Sequence, residues 1–250
     1  MFSTRLILLG ALTIAAPAIA AAPEPAPQAA TNAVAPHPDA LAIARLMLPI
    51  DTTVDASVRV GKEAFFRMFK ENAEAAEAES ALPGISAALW PVLEPEIRRF
   101  TREEHPGYLN MVASFYTSRF TPDELKALHT LYASPTGTKI IGALYRTARV
   151  DALVEEMIRS PEAPVSQSAA SEAIGQMTGG LVGLITKEDE PALLAAIRVV
   201  PQAKLERANG DLAQLVVQWL NKPTPELDAR LDVLMEKAVA RYMAEHPPKH

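Results

Sequence analysis

Apolar residues along most of this chain recur every three or four positions, which is the period of an amphipathic α-helix. Toward the C-terminus, Leu227, Leu231 and Leu234 show this spacing and lie on one face of a helix predicted for 225–245. We find no segment that alternates apolar and polar residues in the way that a half-buried strand does. The pattern therefore predicts an all-α fold, an irregular multi-helix array of about ten helices.

Prolines and a short polar segment interrupt the helical pattern. Pro91 and Pro95 fall within an apolar pattern that otherwise runs through 85–100, and we expect them to kink or divide that helix. The segment SPEAPVS at 160–166 is the clearest break in the chain. It separates an N-terminal helical half from a C-terminal one, and the sequence leaves open whether the two are similar. The predicted halves are 39–160 and 161–250.

The chain begins with a segment typical of a secretion signal. Arg5 supplies a positive charge, residues 6–16 are apolar, and small residues follow at the positions that a signal peptidase reads. We therefore expect residues 1–20 to be a signal peptide, removed near Ala20 or Ala22. No cysteine follows the signal, which excludes a lipoprotein anchor and a disulfide framework.

The rest of the composition narrows the class of protein further. Residues 21–38 are rich in proline and alanine without apolar periodicity, which predicts a disordered linker. The formal net charge of the whole chain is −6, and it has no basic block. Since nucleic-acid binding requires a basic surface, we do not expect a nucleic-acid partner. We also predict no transmembrane segment after the signal.

The sharpest local signals surround Thr121. This threonine is the predicted N-cap of a helix, with Pro122 at the first helical position and Glu124 placed to complete a capping box. Phe120 and Leu125 occupy the two positions of a hydrophobic staple. Replacing such a cap typically costs about 1 kcal/mol. Three local devices thus predict the same helix start.

The helix that starts at Pro122 must end where a second proline follows. Ser134 and Pro135 can open the next helix by the same combination of cap and proline, or Gly137 can make the turn. Similar threonine starts recur at Thr186 (TKED) and Thr224 (TPEL). We interpret these stretches as solutions to helix capping, so the segment around Ser134 is predicted to be a tight corner between helices.

The stretch RFTPDELKALHTLYASPTGTKI, at 119–140, resembles the domain-of-unknown-function 2059 (DUF2059) family. Its members carry an acid-Glu-Leu helix start, an aromatic-x-Ser-Pro-x-Gly corner and a lysine. The matching positions, which we interpret with Phe120 and Thr121 as structural, are Asp123, Glu124, Leu125, Tyr132, Ser134, Pro135, Gly137 and Lys139. The resemblance implies an exported, helical protein of the bacterial periplasm, and it implies no reaction or cofactor.

The sequence offers little catalytic chemistry. His246 and His250 have the i, i+4 spacing of a metal site, but two prolines lie between them. His129 lies on the helix that starts at Pro122, where Glu124 or Glu103 could approach it. We predict no catalytic residue, no cofactor and no metal ligand.

Three glycines are spaced four residues apart, at Gly175, Gly179 and Gly183. A glycine within a helix costs about 1 kcal/mol relative to alanine, so their retention predicts a gain from close backbone approach. We consider a tightly packed core helix, or a surface for self-association or for binding an amphiphile. The same glycines could also break the segment into a loop.

Two functions are consistent with these observations. The favoured one is a non-enzymatic interaction or envelope-maintenance module that binds a protein partner or a lipid-like ligand. The alternative is an envelope hydrolase with a site built from His129 and nearby carboxylates.

Overall fold

The computed structural model describes residues 35–147, 151–160, 163–179 and 184–246, and within these ranges it contains helices and no strand. The all-α prediction is therefore confirmed. The helices are α1 (Pro38–Met47), α2 (Ile50–Glu71), α3 (Ala73–Ala81), α4 (Ile85–Arg119), α5 (Pro122–Ala133), α6 (Pro135–Thr147), α7 (Asp151–Arg159), α8 (Gln167–Gly179), α9 (Glu190–Val199), α10 (Gln202–Leu220) and α11 (Pro225–Glu245).

The longest helix is α4, which runs unbroken for 35 residues although Pro91, Pro95 and Pro106 lie inside it. The predicted division at the first two prolines is wrong. An interior proline costs a helix roughly 3 kcal/mol, but α4 packs against α1, α2 and α11 along its length. The burial that outweighs the prolines comes from apolar side chains such as Leu89, Leu93, Ile97, Phe100 and Val112.

A single residue, Asn72, separates α2 from α3. Asn72 leaves the helical conformation, and its side-chain oxygen accepts a hydrogen bond from the Ala75 amide at 3.1 Å. Asparagine is among the best N-cap residues. It therefore ends one helix and starts the next within what looks like one continuous pattern.

The C-terminal helices close over the N-terminal ones. Helices α10 and α11 pack against α4, α9 packs against α5, and α8 packs between α7 and α10. The hydrophobic core includes residues from both sides of the break at 160–166, for example Ile43 and Leu212. The α5–α6 connection therefore lies where the two parts of the chain meet, and the division into two halves stays a prediction.

Two of the predicted threonine caps do not form. Helix α9 begins at Glu190, and Thr186 lies in the turn before it. Helix α11 does begin at Pro225, but the side chain of Thr224 makes no capping hydrogen bond. A threonine followed by an acid predicts a cap only where the local backbone turns the hydroxyl toward the free amides.

Candidate functional site

The capping box at Thr121 is present at the start of α5. The Thr121 hydroxyl accepts a hydrogen bond from the Glu124 amide at 3.4 Å, and the Glu124 carboxylate accepts one from the Thr121 amide at 2.7 Å. Phe120 and Leu125, the two staple positions, are both buried. Asp123 is exposed in the first turn, where a negative charge is favourable.

Glu124 has a second role that the sequence does not indicate. Its carboxylate also accepts a hydrogen bond from the ammonium group of Lys204, on α10. The Lys204 nitrogen lies 5.4 Å from the centre of the Phe120 ring. Burial of Glu124 tends to raise the pKa of its carboxyl, but the bonds from Lys204 and the Thr121 amide outweigh it and hold that pKa below its ordinary value. This residue thus joins the motif to the C-terminal part of the chain.

The corner between α5 and α6 depends on Ser134 and Gly137. The Ser134 hydroxyl donates to the Leu131 carbonyl at 2.6 Å and accepts from the Gly137 amide at 3.1 Å, so it caps α6. A Cβ atom on Gly137 would lie 2.2 Å from the Leu131 oxygen and 2.5 Å from the Tyr132 Cα. Because both of these are backbone atoms, only glycine fits. Gly137 lies inside α6 and does not make the turn. The turn between α5 and α6 is made by Ser134 and Pro135.

Lys139 binds a buried aspartate that precedes α9. Its ammonium nitrogen lies 2.6 Å from the Asp189 carboxylate, which also accepts from the Thr136 hydroxyl at 3.0 Å. The amide and hydroxyl of Thr186 donate to the same carboxylate at 2.9 and 3.0 Å. The hydrogen bond from Lys139, together with those from Thr186 and Thr136, holds the pKa of Asp189 well below its ordinary value.

This cluster of four residues, which we call the Asp189 clasp, holds the start of α9 against α6. It consists of Thr136, Lys139, Thr186 and Asp189. This cluster was not predicted, because TKED has the pattern of a helix start. An acid three residues after a threonine was visible, but its partner Lys139 lies 50 residues away.

The aromatic position of the motif is part of the core. Tyr132 is buried and hydrogen-bonds to Tyr116, whose hydroxyl also donates to the sulfur of Met47 at 3.4 Å. Burial raises the pKa of Tyr132, since the ionised phenol would lose its hydration. The ring therefore packs and the hydroxyl is satisfied internally, as expected for a structural residue.

His129 meets a carboxylate, although not one of the two that we expected. Its Nδ1 atom lies 2.9 Å from Asp39, and the side chains are 36% and 30% exposed. Glu124 instead binds Lys204, and Glu103 lies 3.8 Å from Arg99 and 3.8 Å from an arginine of α11. The proposed partners of His129 were therefore wrong.

The surroundings of the His129–Asp39 contact offer no complete reaction centre. His37 lies beside Asp39, and its Nδ1 accepts a hydrogen bond from the Asp39 amide, which caps α1. No hydroxyl of the described residues hydrogen-bonds to the His129 ring. Within the same ranges, no group of three or more histidine, cysteine, aspartate or glutamate side chains is arranged to hold a metal ion.

The glycine stripe falls at the end of the described part of α8. Gly175 is exposed, and a Cβ atom built on it would meet no described atom within 4 Å outside its own helix backbone and chain neighbours. Gly179 is the last residue of α8, and Gly183 lies outside the described residues. Gly175 thus does not serve close packing inside the described chain, and an interaction surface at the stripe stays a prediction.

A cleft of about 280 Å³ lies between α7 and α8. Its lining is largely polar, and four of its five charged residues are acidic; it includes Asp151, Glu155, Glu156, Arg159 and Ser166. The Glu156 carboxylate already accepts from the amide and the hydroxyl of Ser166, at 3.1 and 3.0 Å. A binding site for an apolar chain is lined mainly by hydrophobic side chains, so this cleft does not fit an amphiphile.

The outward face of α9 exposes large apolar side chains, unlike the polar cleft between α7 and α8. Leu194, Ile197 and Val199 are 52%, 43% and 44% exposed. Ala196 is the buried residue of this helix, which packs against α5. At about 100° per residue, Leu194 and Ile197 lie on the same side of this helix, whereas Val199 lies on another side. Isolated exposed apolar residues are common, but Leu194 and Ile197 are neighbours and form a small exposed apolar patch.

Taken together, the fold and these contacts define an all-α protein whose most distinctive motif is a structural corner. Residues 109–158 match the model of a family described as "Uncharacterized protein conserved in bacteria (DUF2059)". The predicted family resemblance is confirmed for this segment. No curated protein and no solved structure matches the chain. None of the helices in the described ranges is long and apolar enough to cross a membrane.

Proposed function

We propose that this chain is a non-enzymatic interaction module of the bacterial cell envelope, which binds a protein partner through the outward face of α9. The observation that carries the proposal is the exposure of Leu194 and Ile197, which are neighbours on the outward side of this short helix. The motif supports it indirectly, because its charged residues form ion pairs inside the fold. Glu124 pairs with Lys204, and Lys139 pairs with Asp189 in the clasp. Those contacts hold α9 and α10 in place, and Asp123 is the charged motif residue that stays exposed.

The charges around the face favour a protein over a lipid surface. Glu190 and Arg198 lie at the two ends of α9 and both are exposed. A helix that lies on a membrane carries mainly lysine and arginine on its polar side. One acid and one base at opposite ends suit a protein surface of mixed charge. Binding of a lipid-like ligand is therefore an outcome of the test.

The location in the envelope rests on the predicted signal peptide. We expect the mature chain to begin at Ala21 or Pro23, after removal of the signal. N-terminal sequencing of the protein recovered from a periplasmic extract checks this. A chain that retains Met1 and stays in the cytoplasm would contradict the proposed location.

The binding function is tested by capture with matched variants. Wild-type protein, Leu194→Glu and Val233→Glu are immobilised, and Val233 is chosen because it is 48% exposed on α11. Support requires an envelope protein that the wild type and Val233→Glu bind and Leu194→Glu does not, with the loss reproduced between purified components. Native mass spectrometry and anionic vesicles report the lipid outcome. Equal binding by all three variants would overturn the proposal.

The hydrolase alternative has one observation in its favour, which is the His129–Asp39 hydrogen bond at 2.9 Å. A histidine whose Nδ1 is held by a carboxylate is the arrangement that orients a general base. Replacing His129 with alanine tests it. Full complementation of a deletion strain by His129→Ala removes the alternative, whereas loss of function in a stably folded variant would favour it over the binding module.

A further inference from the structure

We infer that the partner of the α9 face is a second copy of this chain, bound in an antiparallel arrangement centred on Leu194. The inference rests on the proposed function, since it names the occupant of the same surface. The first observation is the position of two charged residues on α9. Glu190 and Arg198 are exposed, and neither forms an ion pair with a described residue.

The spacing of these charges is symmetric about Leu194. Glu190 lies four residues before Leu194 and Arg198 lies four residues after it. Residues at i, i+4 and i+8 form one ridge on a helix surface, and ridges of this kind commonly pack against each other when two helices cross. Leu194 is the most exposed of the large apolar residues of α9, so the centre of the ridge is apolar and its ends are charged.

A two-fold axis through Leu194 makes this ridge complementary to itself. In the antiparallel pair, Glu190 of each copy lies opposite Arg198 of the other, and the two Leu194 side chains meet. A closed dimer requires this kind of self-complementary patch. A parallel pair would instead place like charges opposite each other, which costs energy. The charge pattern therefore selects one occupant and one direction.

The size of the face sets the strength of the pairing. A helix of ten residues is about 15 Å long, whereas a stable interface buries about 800 Å² on each partner. Helix α9 alone supplies less than this. The pairing is therefore expected to be reversible and dependent on concentration, with a dissociation constant in the micromolar range or weaker, on the order of 10⁻⁶–10⁻³ M.

Charge reversal tests the pairing in the mature chain by analytical ultracentrifugation over a concentration series. Glu190→Arg and Arg198→Glu are each expected to weaken the dimer by on the order of tenfold or more, because like charges then meet twice across the axis. The double variant E190R/R198E restores both pairs and is expected to dimerise like the wild type. An equimolar mixture of the two single variants is expected to form a mixed dimer.

The absence of cysteine from the sequence allows a second, geometric test. Leu194→Cys is expected to give a covalent dimer with a short bis-maleimide, because the two thiols meet at the axis. Val233→Cys, which is similarly exposed in the monomer, is the matched control and is expected to stay monomeric. Circular dichroism verifies that all variants fold.

Several results would overturn the inference. They are a wild type that stays monomeric up to millimolar concentration, a dimer whose affinity is unchanged by either charge reversal, and a double variant that does not recover. If Leu194→Cys couples to a different envelope protein and never to itself, self-association is wrong while the proposed function survives. If the dimer forms as described but Leu194→Glu captures the same envelope proteins as the wild type, the self-association holds and the α9 face does not bind those proteins.

Discussion

The α5–α6 corner and the outward face of α9 lie close together in the fold and are built in opposite ways. At the corner the charged groups are paired: Glu124 binds Lys204, and Lys139 binds Asp189. On the α9 face the large apolar side chains of Leu194 and Ile197 are exposed, and the charges of Glu190 and Arg198 have no partner among the described residues.

The difference separates the segment that matches the family model from the surface that we propose to bind a partner. The corner carries the recognisable sequence, because glycine, proline, serine and threonine are each required by a specific backbone geometry there. A face that binds a partner needs only shape, apolar area and compatible charge, so it leaves no short motif. The recognisable motif of this chain therefore has a structural role, and it holds in place the helix whose outward face we propose as the binding surface.

The largest effect is expected at Gly137. Changing it to alanine places a Cβ atom 2.2 Å from the Leu131 oxygen and 2.5 Å from the Tyr132 Cα, so the corner must open. We expect a loss of roughly 3 kcal/mol or more in the free energy of unfolding, measured by urea denaturation.

Two other glycines serve as controls for this substitution. Cβ atoms on Gly175 and Gly210 would meet no described neighbour within 4 Å, and both residues lie inside helices. Each change to alanine is expected to raise stability by up to about 1 kcal/mol. If Gly137→Ala were as stable as these controls, the corner would not be constrained as described.

The second prediction concerns the Asp189 clasp and acid. The pKa of Asp189 is held below its ordinary value of 3.8 in the folded chain, mainly by the bond from Lys139. A carboxyl of this kind stabilises the fold above its unfolded pKa, and that stabilisation is lost as the pH falls through the folded pKa. Asp189→Asn is therefore expected to be less stable at pH 7 and to lose less stability than the wild type below about pH 4.

The pH series needs a control that carries a similar charge without the clasp. Asp211, which pairs with Arg119 at 3.0 Å and is only half-buried, provides it through Asp211→Asn. We expect a smaller loss at neutral pH, because Asp211 forms one ion pair whereas the Asp189 carboxylate accepts four hydrogen bonds. Parallel unfolding curves for wild type and Asp189→Asn from pH 2 to 7 would argue against the clasp.

The sequence predicted those parts of this region that depend on neighbours along the chain. The helix start at Thr121 and the cap at Ser134 follow from the geometry of four consecutive residues. The helical period predicted the all-α fold and the last helix at 225–245, because burial of one face imposes that period. The helix division predicted at Pro91 and Pro95 does not occur, because packing of α4 on three helices outweighs the local cost of the prolines.

The long-range contacts could not be predicted in this way. Asp189 lies 50 residues from Lys139, and Lys204 lies 80 residues from Glu124. His129 meets Asp39 across 90 residues. Any of several acids could have paired with each base, and only the packing of the helices decides between them. The exposure of the α9 face could not be predicted for the same reason. The helical period does not say which side of an apolar helix packs against the rest of the fold and which side stays exposed.

The third prediction concerns the capping box, where a substitution is expected to weaken the corner by a smaller amount. Thr121→Ala removes the hydroxyl that accepts from the Glu124 amide and leaves the Glu124–Lys204 pair in place. We expect a loss of about 1 kcal/mol in the free energy of unfolding. Thr224→Ala is the control, since Thr224 is placed like a cap but makes no capping bond, and its change is expected to fall within about 0.5 kcal/mol. Equal losses would mean that position alone, and not the hydrogen bond, stabilises the helix start.

The smallest effect on stability is expected at the centre of the α9 face. Leu194→Ala at low protein concentration is expected to change the free energy of unfolding by no more than about 0.5 kcal/mol, because Leu194 is 52% exposed. The same substitution at Leu128, which is 2% exposed in α5, is expected to cost about 3 kcal/mol. The dependence of the melting temperature on protein concentration is a second measurement, since association stabilises the folded state by mass action. The melting temperature of the wild type is therefore expected to rise with protein concentration, and that of Leu194→Ala to stay constant. A Leu194→Ala variant as unstable as Leu128→Ala would place this residue in the core and remove the contrast between the two regions.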